Sequence, residues 1–346
     1  MNRRTLLTSA AFLALSAAGA QAQTTVTFTG YSGLFQDRYQ AAVVDAFNKS
    51  QNEVKVVYSP VQNSAQMLGL LRAQKAAPQM DVVVMDIAVS KAGTDEGLFE
   101  KLDEASIPAL KDLHAMARSP EIAGAGVTFD NLVLIYNTDQ VKQPPKSIMA
   151  LADAAWKGKV VIPGFPDIQG LALVMILDKK NGGAGVDGKF EKGIDAMAPI
   201  APMVQTWEPK PEVYVPVING QAAIGIGWNA RAQVNSDTSN GKMKAVIPEE
   251  GSVFQINTIN LVKGAPQAAA AKKFIQYALS PEAQKAFTES MFYAPTNAKA
   301  QIAPAAIDRT AVKFMDKMIA VNWIAVAKIR EQVGEQWRRK VIPLSR

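Results

Sequence analysis

The sequence predicts an α/β protein built as two lobes with a cleft between them, and three observations carry that expectation. The chain has 346 residues, 48% apolar and 20% charged. That is the balance of a folded globular protein, and at about 150 residues per domain it suffices for two cores. Apolar runs of strand length alternate with segments of helical periodicity, the pattern of parallel sheets flanked by helices. No flexible linker, repeat or low-complexity tract separates the halves, so the lobes are expected to exchange strands directly.

The elements follow in order. Residues 26–30 read as a strand ending in a turn, and Leu34, Tyr39, Val43 and Phe47 then fall at helical spacing. Residues 54–58 form the next strand. Ser64 is placed as the cap of a helix carrying Met67, Leu68, Leu70 and Leu71, which Pro78 ends. Residues 80–85 are a continuous apolar run, of the kind buried on both faces of a sheet. Strands at 132–136 and 160–162 precede helices at 170–179 and 190–200, the first closed by Asn181-Gly182-Gly183. Residues 222–228 form a strand, Asn229 opens a short helix, and 246–248 and 254–262 are strands. Beyond Pro266 helices are expected at 267–279, 281–292, 307–319 and 322–340.

The N-terminus reads as an address. Arg3 and Arg4, an apolar run over 6–18 and Ala20-Gln21-Ala22 make a secretory signal cut after Ala22, with a run too short to span a bilayer. Arg3-Arg4-Thr5-Leu6-Leu7 resembles a twin-arginine signal, a weak pattern that ordinary export signals share. The rest of the chain, with 35 Lys+Arg against 31 Asp+Glu, carries a net charge of +4. Its longest basic block, Arg338-Arg339-Lys340, is read as a helix end rather than a nucleic-acid patch. A cysteine-free, exported chain fits the bacterial periplasm.

Several chemistries are excluded or unsupported. With no Cys and one His, thiolate nucleophiles, zinc–thiolate sites, iron–sulfur clusters and paired imidazoles are gone. Gly183-Ala184-Gly185-Val186-Asp187-Gly188 matches a dinucleotide fingerprint, but it follows a helix where the chemistry needs a strand. Gly225-Ile226-Gly227-Trp228-Asn229-Ala230 follows a strand, yet Trp228 fills the place where backbone should meet phosphate. Neither a P-loop nor a hydrolase elbow is present. His114 is expected in a polar helical stretch and Glu249-Glu250 in a solvated loop, so neither is read as catalytic. No enzyme, cofactor or metal site is predicted.

What remains is a set of polar segments with aromatics at strand ends. They hold Tyr31, Ser32, Phe35 and Gln36; Asp86; Asp167 and Gln169; Trp207; Trp228 and Arg231; Asn257; and Tyr293. Ligands of open α/β sheets bind at the carboxyl ends of strands, where helix N-termini offer free N–H groups and aromatics give apolar walls. These twelve residues are the predicted ligand-binding set.

The chain resembles the periplasmic solute-binding proteins of ABC importers, in the group that takes polyamines, 2-aminoethylphosphonate and iron(III). The resemblance lies in Gly30-Tyr31-Ser32-Gly33-Leu34-Phe35-Gln36, Leu134-Ile135-Tyr136-Asn137-Thr138-Asp139, Trp156-Lys157-Gly158-Lys159, residues 223–228, Tyr293-Ala294-Pro295-Thr296-Asn297, and Trp323, Arg330 and Trp337. It implies a two-lobed type II periplasmic-binding fold, each lobe a mainly parallel sheet flanked by helices, hinged by two chain crossings. Residues 23–130 plus 258–300 would form one lobe, and 131–257 plus 301–346 the other. It further implies a monomer that closes on a small-molecule solute and docks on an inner-membrane permease.

The solute is then argued from charge. A polyamine needs carboxylates, and polyamine binders of this group place an acid on the strand that here offers Asn257, leaving Asp86 and Asp167. Arg231 suits a carboxylate or phosphonate. No Tyr-Tyr pair supports iron(III). An anionic or zwitterionic organic solute is therefore expected, with a polyamine as the alternative; a secreted enzyme or a chemoreceptor-linked sensor on the same fold stays open.

Overall fold

The computed structural model describes residues 23–345, and the expected signal, residues 1–22, lies outside them. β1 (Thr24–Tyr31) leads into α1 (Leu34–Tyr39), which passes through a π turn into α2 (Asp45–Ser50). There follow β2 (Val54–Val61), α3 (Ser64–Ala73), β3 (Val82–Asp86), α4 (Ile87–Asp95) and β4 (Phe99–Glu100). β5 (Ala125–Asn137) crosses to β6 (Val160–Val161), α5 (Ile168–Lys180), α6 (Glu191–Asp195) and β7 (Val204–Thr206). Next come α7 (Tyr214–Ile218), β8 (Ile224–Trp228), α8 (Asn229–Thr238) and β9 (Met243–Val246). β10 (Ser252–Val262) returns to α9 (Ala268–Ala278) and α10 (Pro281–Met291), before α11 (Pro304–Ile307), β11 (Met318–Ile319) and α12 (Trp323–Gln336).

The strands run in the order β2-β1-β3-β10-β5-β8-β6-β7, with β9 on β5. Two lobes share this path. In the first, parallel β2, β1 and β3 meet antiparallel β10, and β5 lies beyond it. In the second, parallel β7, β6 and β8 meet antiparallel β5, and β9 lies beyond it. Both lobes thus have the same order, with one long strand arriving from the other lobe. β5 changes partners between Asn131, opposite Phe254 of β10, and Leu132, opposite Trp228 of β8. All of its 13 residues are buried, which is why it can serve two sheets without an exposed edge.

The first lobe is centred on stacked and edge-on rings: Phe28, Phe35, Tyr39, Phe274, Phe287 and Tyr293. In the second, α5 is buried from Gly170 to Asp178, so its apolar residues run all round rather than on one face. The C-terminal α12 packs against α4 of the first lobe and α6 of the second. Trp323 fixes it to β10 by donating its indole N–H to the Phe254 carbonyl at 2.5 Å.

Several local expectations are corrected. Asn63, not Ser64, caps α3, accepting from the Gln66 amide; the Ser64 hydroxyl is thereby free for other partners. The stretch around His114 is two short 3-10 turns, with half-buried His114 between them. The expected helix at 190–200 is only the short α6 and turns. The helix expected at 307–319 is broken because Met318 and Ile319 pair with Ser252 and Val253 of β10. Glu250 is not solvated: it accepts from Ser147, from the Ile148 amide at 3.0 Å and from Lys180 at 3.0 Å.

The glycines of β8 belong to packing rather than phosphate binding. A Cβ on Gly225 would lie 2.4 Å from the Val161 carbonyl oxygen of neighbouring β6, backbone that cannot move aside. Gly225→Ala is therefore expected to lower stability by ~1–3 kcal/mol. A urea-unfolding midpoint equal to that of the parent protein would refute this.

Candidate functional site

Three helix N-termini meet where strands end, and each is capped by a carboxylate. Asp86, the last residue of β3, caps α4 by accepting from the Ala88 amide at 2.9 Å. Asp167 caps α5 through the Gln169 amide at 2.8 Å. The third cap comes from across the hinge: Asp130 in β5 accepts from the Ala230 amide of α8 at 3.1 Å and from its neighbour Asn131 at 2.9 Å. A carboxylate is well placed at each position because the free amides and the helix dipole are both positive there.

Tyrosines from both lobes frame the space between these caps. At the end of β1, the Tyr31 hydroxyl donates to Asn257 Oδ1 at 3.0 Å and lies 2.8 Å from Ser64 Oγ. Ser64 Oγ in turn accepts from the Asp86 amide at 3.0 Å. On the facing lobe, the Tyr214 hydroxyl bridges the backbone of Trp228, donating to its carbonyl and accepting from its amide, both at 3.0 Å. Gly227 permits this, since a Cβ there would lie 2.6 Å from the Tyr214 ring. Tyr293 stacks on Phe287 at 5.3 Å. Burial raises the hydroxyls of Tyr31, Tyr214 and Tyr293 well above the ordinary phenol value, so all three stay neutral donors at physiological pH.

Arg231, in the first turn of α8, brings the positive charge. Burial works against that charge, but Tyr293, Tyr214, Glu212 and Asp130 around it hold its pKa above the ordinary value. Among the described residues its guanidinium forms no ion pair within 4.0 Å. It lines an open cavity of about 650 Å³ with Asp167, Gln169, Trp207, Glu212 and Tyr214. Burial also raises the carboxyls of Asp86 and Asp167, partly offset by their helix amides and by Arg330.

The predicted residues divide into three groups. Asp167, Gln169, Trp207 and Arg231 line the cavity, while Tyr31, Asp86 and Tyr293 belong to the first lobe and feel the charge of Arg231 or Arg330. The Gln169 carbonyl oxygen is buried without a partner. Trp207 is held by an indole hydrogen bond to Ser345 at 3.1 Å and edge-on contact with Trp337 at 5.0 Å.

The second group is structural. Phe35 is 1% exposed and backs Tyr31 and Tyr293 through ring contacts instead of presenting a surface. Asn257, also 1% exposed, spends its carbonyl on Tyr31 and its amide on Thr128, at 3.0 Å each. Trp228 is buried at the end of β8. Ser32 is exposed and Gln36 half-buried in the turn and helix after β1, at the margin of the group.

Sequence reasoning missed Asp130, Ser64, Glu212, Tyr214 and Arg330. Asp130 carried a usable signal: an acid in the middle of an apolar strand has to be paired. No group of three or more acidic or His side chains able to hold a metal occurs among the described residues, and no helix among them is long and apolar enough to cross a membrane.

The sequence profile of a family described as bacterial extracellular solute-binding protein matches residues 42–313. The chain is 24% identical over 306 residues to the gamma-aminobutyric acid-binding protein of Pseudomonas aeruginosa, covering 83% of this chain and 80% of that one. It is 23% identical over 309 residues to the spermidine/putrescine-binding periplasmic protein of Escherichia coli, covering 87% and 85%. An extracellular solute-binding protein of Bordetella parapertussis superposes with a TM-score of 0.79 at 22% identity, over 92% of this chain and 99% of that one. The fold is that of type II periplasmic binding proteins.

Burial pushes the Asp130 carboxyl up to about 7, against the pull of the Ala230 and Asn131 amides and Arg231. A carboxyl raised on folding favours the folded state when protonated. That contribution is whole below its ordinary value of 3.8 and is lost as pH rises to about 7. The stability of the parent protein relative to Asp130→Asn should therefore fall between pH 4 and 7 and level off above. Parallel curves from denaturant unfolding across that range would contradict it.

Proposed function

Because the chain belongs to the bacterial extracellular solute-binding proteins, we propose that it captures a small zwitterionic solute, of the ω-amino acid kind, in the cleft between its lobes. One observation carries this reading: the Arg231 guanidinium, half-buried and without a protein carboxylate within ion-pair distance among the described residues, faces the tyrosines of both lobes. A solute carboxylate would give it charge-assisted hydrogen bonds. The unpartnered Gln169 side-chain carbonyl on the same cavity wall would take the ammonium end. The name of the gamma-aminobutyric acid-binding relative supports the same class.

A polyamine is the second reading, favoured by Asp86, Asp167 and Glu212 and by the spermidine/putrescine-binding relative. Asn257 argues against it, being neutral with both polar ends already bonded. In our reading the protein is exported after cleavage behind Ala22 and acts as a monomer without catalysing a reaction. Closure on the solute follows the β5 and β10 crossings, and the closed form delivers it to the permease of an ABC importer.

Titration calorimetry with 4-aminobutanoate tests this. Arg231→Ala is expected to weaken binding ~30-fold or more, since hydrogen bonds to charged groups contribute ~1.5–3 kcal/mol. Asp167→Asn should leave it largely intact. The opposite ranking, with spermidine or putrescine as the tighter solute, would overturn the zwitterion in favour of the polyamine.

A further inference from the structure

We propose that Arg330 denies this cleft to diamines: brought in on α12, its guanidinium is the resident counter-ion of Asp86 and Asp167 and takes the place of a second solute ammonium. The inference rests on the reading of the cleft as a solute site with Arg231 at its anion end.

The argument begins with the two acids. Asp86 caps α4 in the first lobe and Asp167 caps α5 in the second, so the two acids come from opposite lobes. Together they are the pair that a cationic solute would seek. Neither has a Lys or Arg partner within 4.0 Å among the described residues, which on its own would leave them open to one.

α12 changes that. It packs on α4, and it approaches residues 165–167 closely because Gly334 carries no side chain: a Cβ there would lie 2.4 Å from the Phe165 ring. From this position Arg330 donates to the Pro166 carbonyl at 2.6 Å, beside Asp167, with its guanidinium 5.8 Å from the centre of the Phe165 ring. Three contacts with the 165–167 segment and one helix–helix contact thus hold the cation beside Asp167, on the helix that packs against the one Asp86 caps. Its charge acts on both, foremost among cations in each case. Arg330 is outside the cavity lining, so it adds positive potential without filling the solute space. A second ammonium near this pair meets a like charge. A zwitterion has one ammonium to place, on the unpartnered Gln169 carbonyl, and needs no second acid.

Putrescine and 4-aminobutanoate have the same four-carbon chain and differ at one end, so together they isolate the charge. Arg330→Met and Arg330→Gln are expected to bind putrescine ~10-fold or more tighter than the parent protein does, with 4-aminobutanoate affinity changed less than ~3-fold. Arg330→Lys, which keeps the charge, should not gain. Neither should Lys328→Gln, which changes net charge equally on the same helix; a merely structural or long-range role would not produce that pattern. Putrescine affinity within ~3-fold of the parent in folded Met and Gln variants overturns the proposal. So does an equal gain in Lys328→Gln, or unfolding of both Arg330 variants. The solute reading fails separately, on Arg231→Ala, whatever Arg330 does.

Discussion

The structure depends on the antiparallel pairing of β5 with β10. Each strand is the inserted member of one sheet and a neighbour in the other, so the two lobes are parts of one hydrogen-bonded network rather than bodies joined by a tether. The register shift between Asn257 and Thr258 falls in this pairing. A bulge there bends and twists the strands locally, beside the residue that holds the Tyr31 hydroxyl. The same β5 carries Asp130 to the start of α8, so the strand that joins the lobes also secures the helix presenting Arg231. Hinge closure on a solute would flex these two strands, the smallest connection that keeps both sheets intact.

The charge arrangement follows from that topology. Strand carboxyl ends face each other across the cleft, helices begin there, and helix starts attract carboxylates. A site assembled this way is rich in acids before any solute arrives, and the two arginines answer that excess differently. Arg231 stands on the cavity wall, whereas Arg330 comes from the last long helix and is bonded to the Pro166 carbonyl. The neutral tyrosines between them supply hydrogen bonds without altering the balance.

Much of the fold was legible because strand runs and helix periods were strong. The strand read at 54–58 lies within β2, those read at 80–85 and 222–228 each begin two residues before the observed β3 and β8, and the parallel α/β grammar identified the class. The first half of β5 was not legible: Gly126, Asp130 and Asn131 look like turn residues, and only distant partners make them acceptable in a buried strand. The helix read over 307–319 had the right period but lost to pairing with β10, a tertiary preference that local pattern cannot show. Of the candidate site residues, Tyr31, Asp86, Asp167 and Arg231 could be proposed from the sequence because they follow strands, whereas Tyr293 follows α10 rather than the strand end expected of it. Tyr214 was hidden behind the Pro-rich 209–211, and Arg330 meets its partner across 164 residues of chain. Phe35 and Asn257 were read as contacts because burial of a polar-aromatic turn cannot be seen in one dimension.

Through its bond to Trp207, Ser345 helps fix a ring on the cavity wall, so whatever displaces it would be felt inside the binding chamber, although the two residues are 138 apart in sequence.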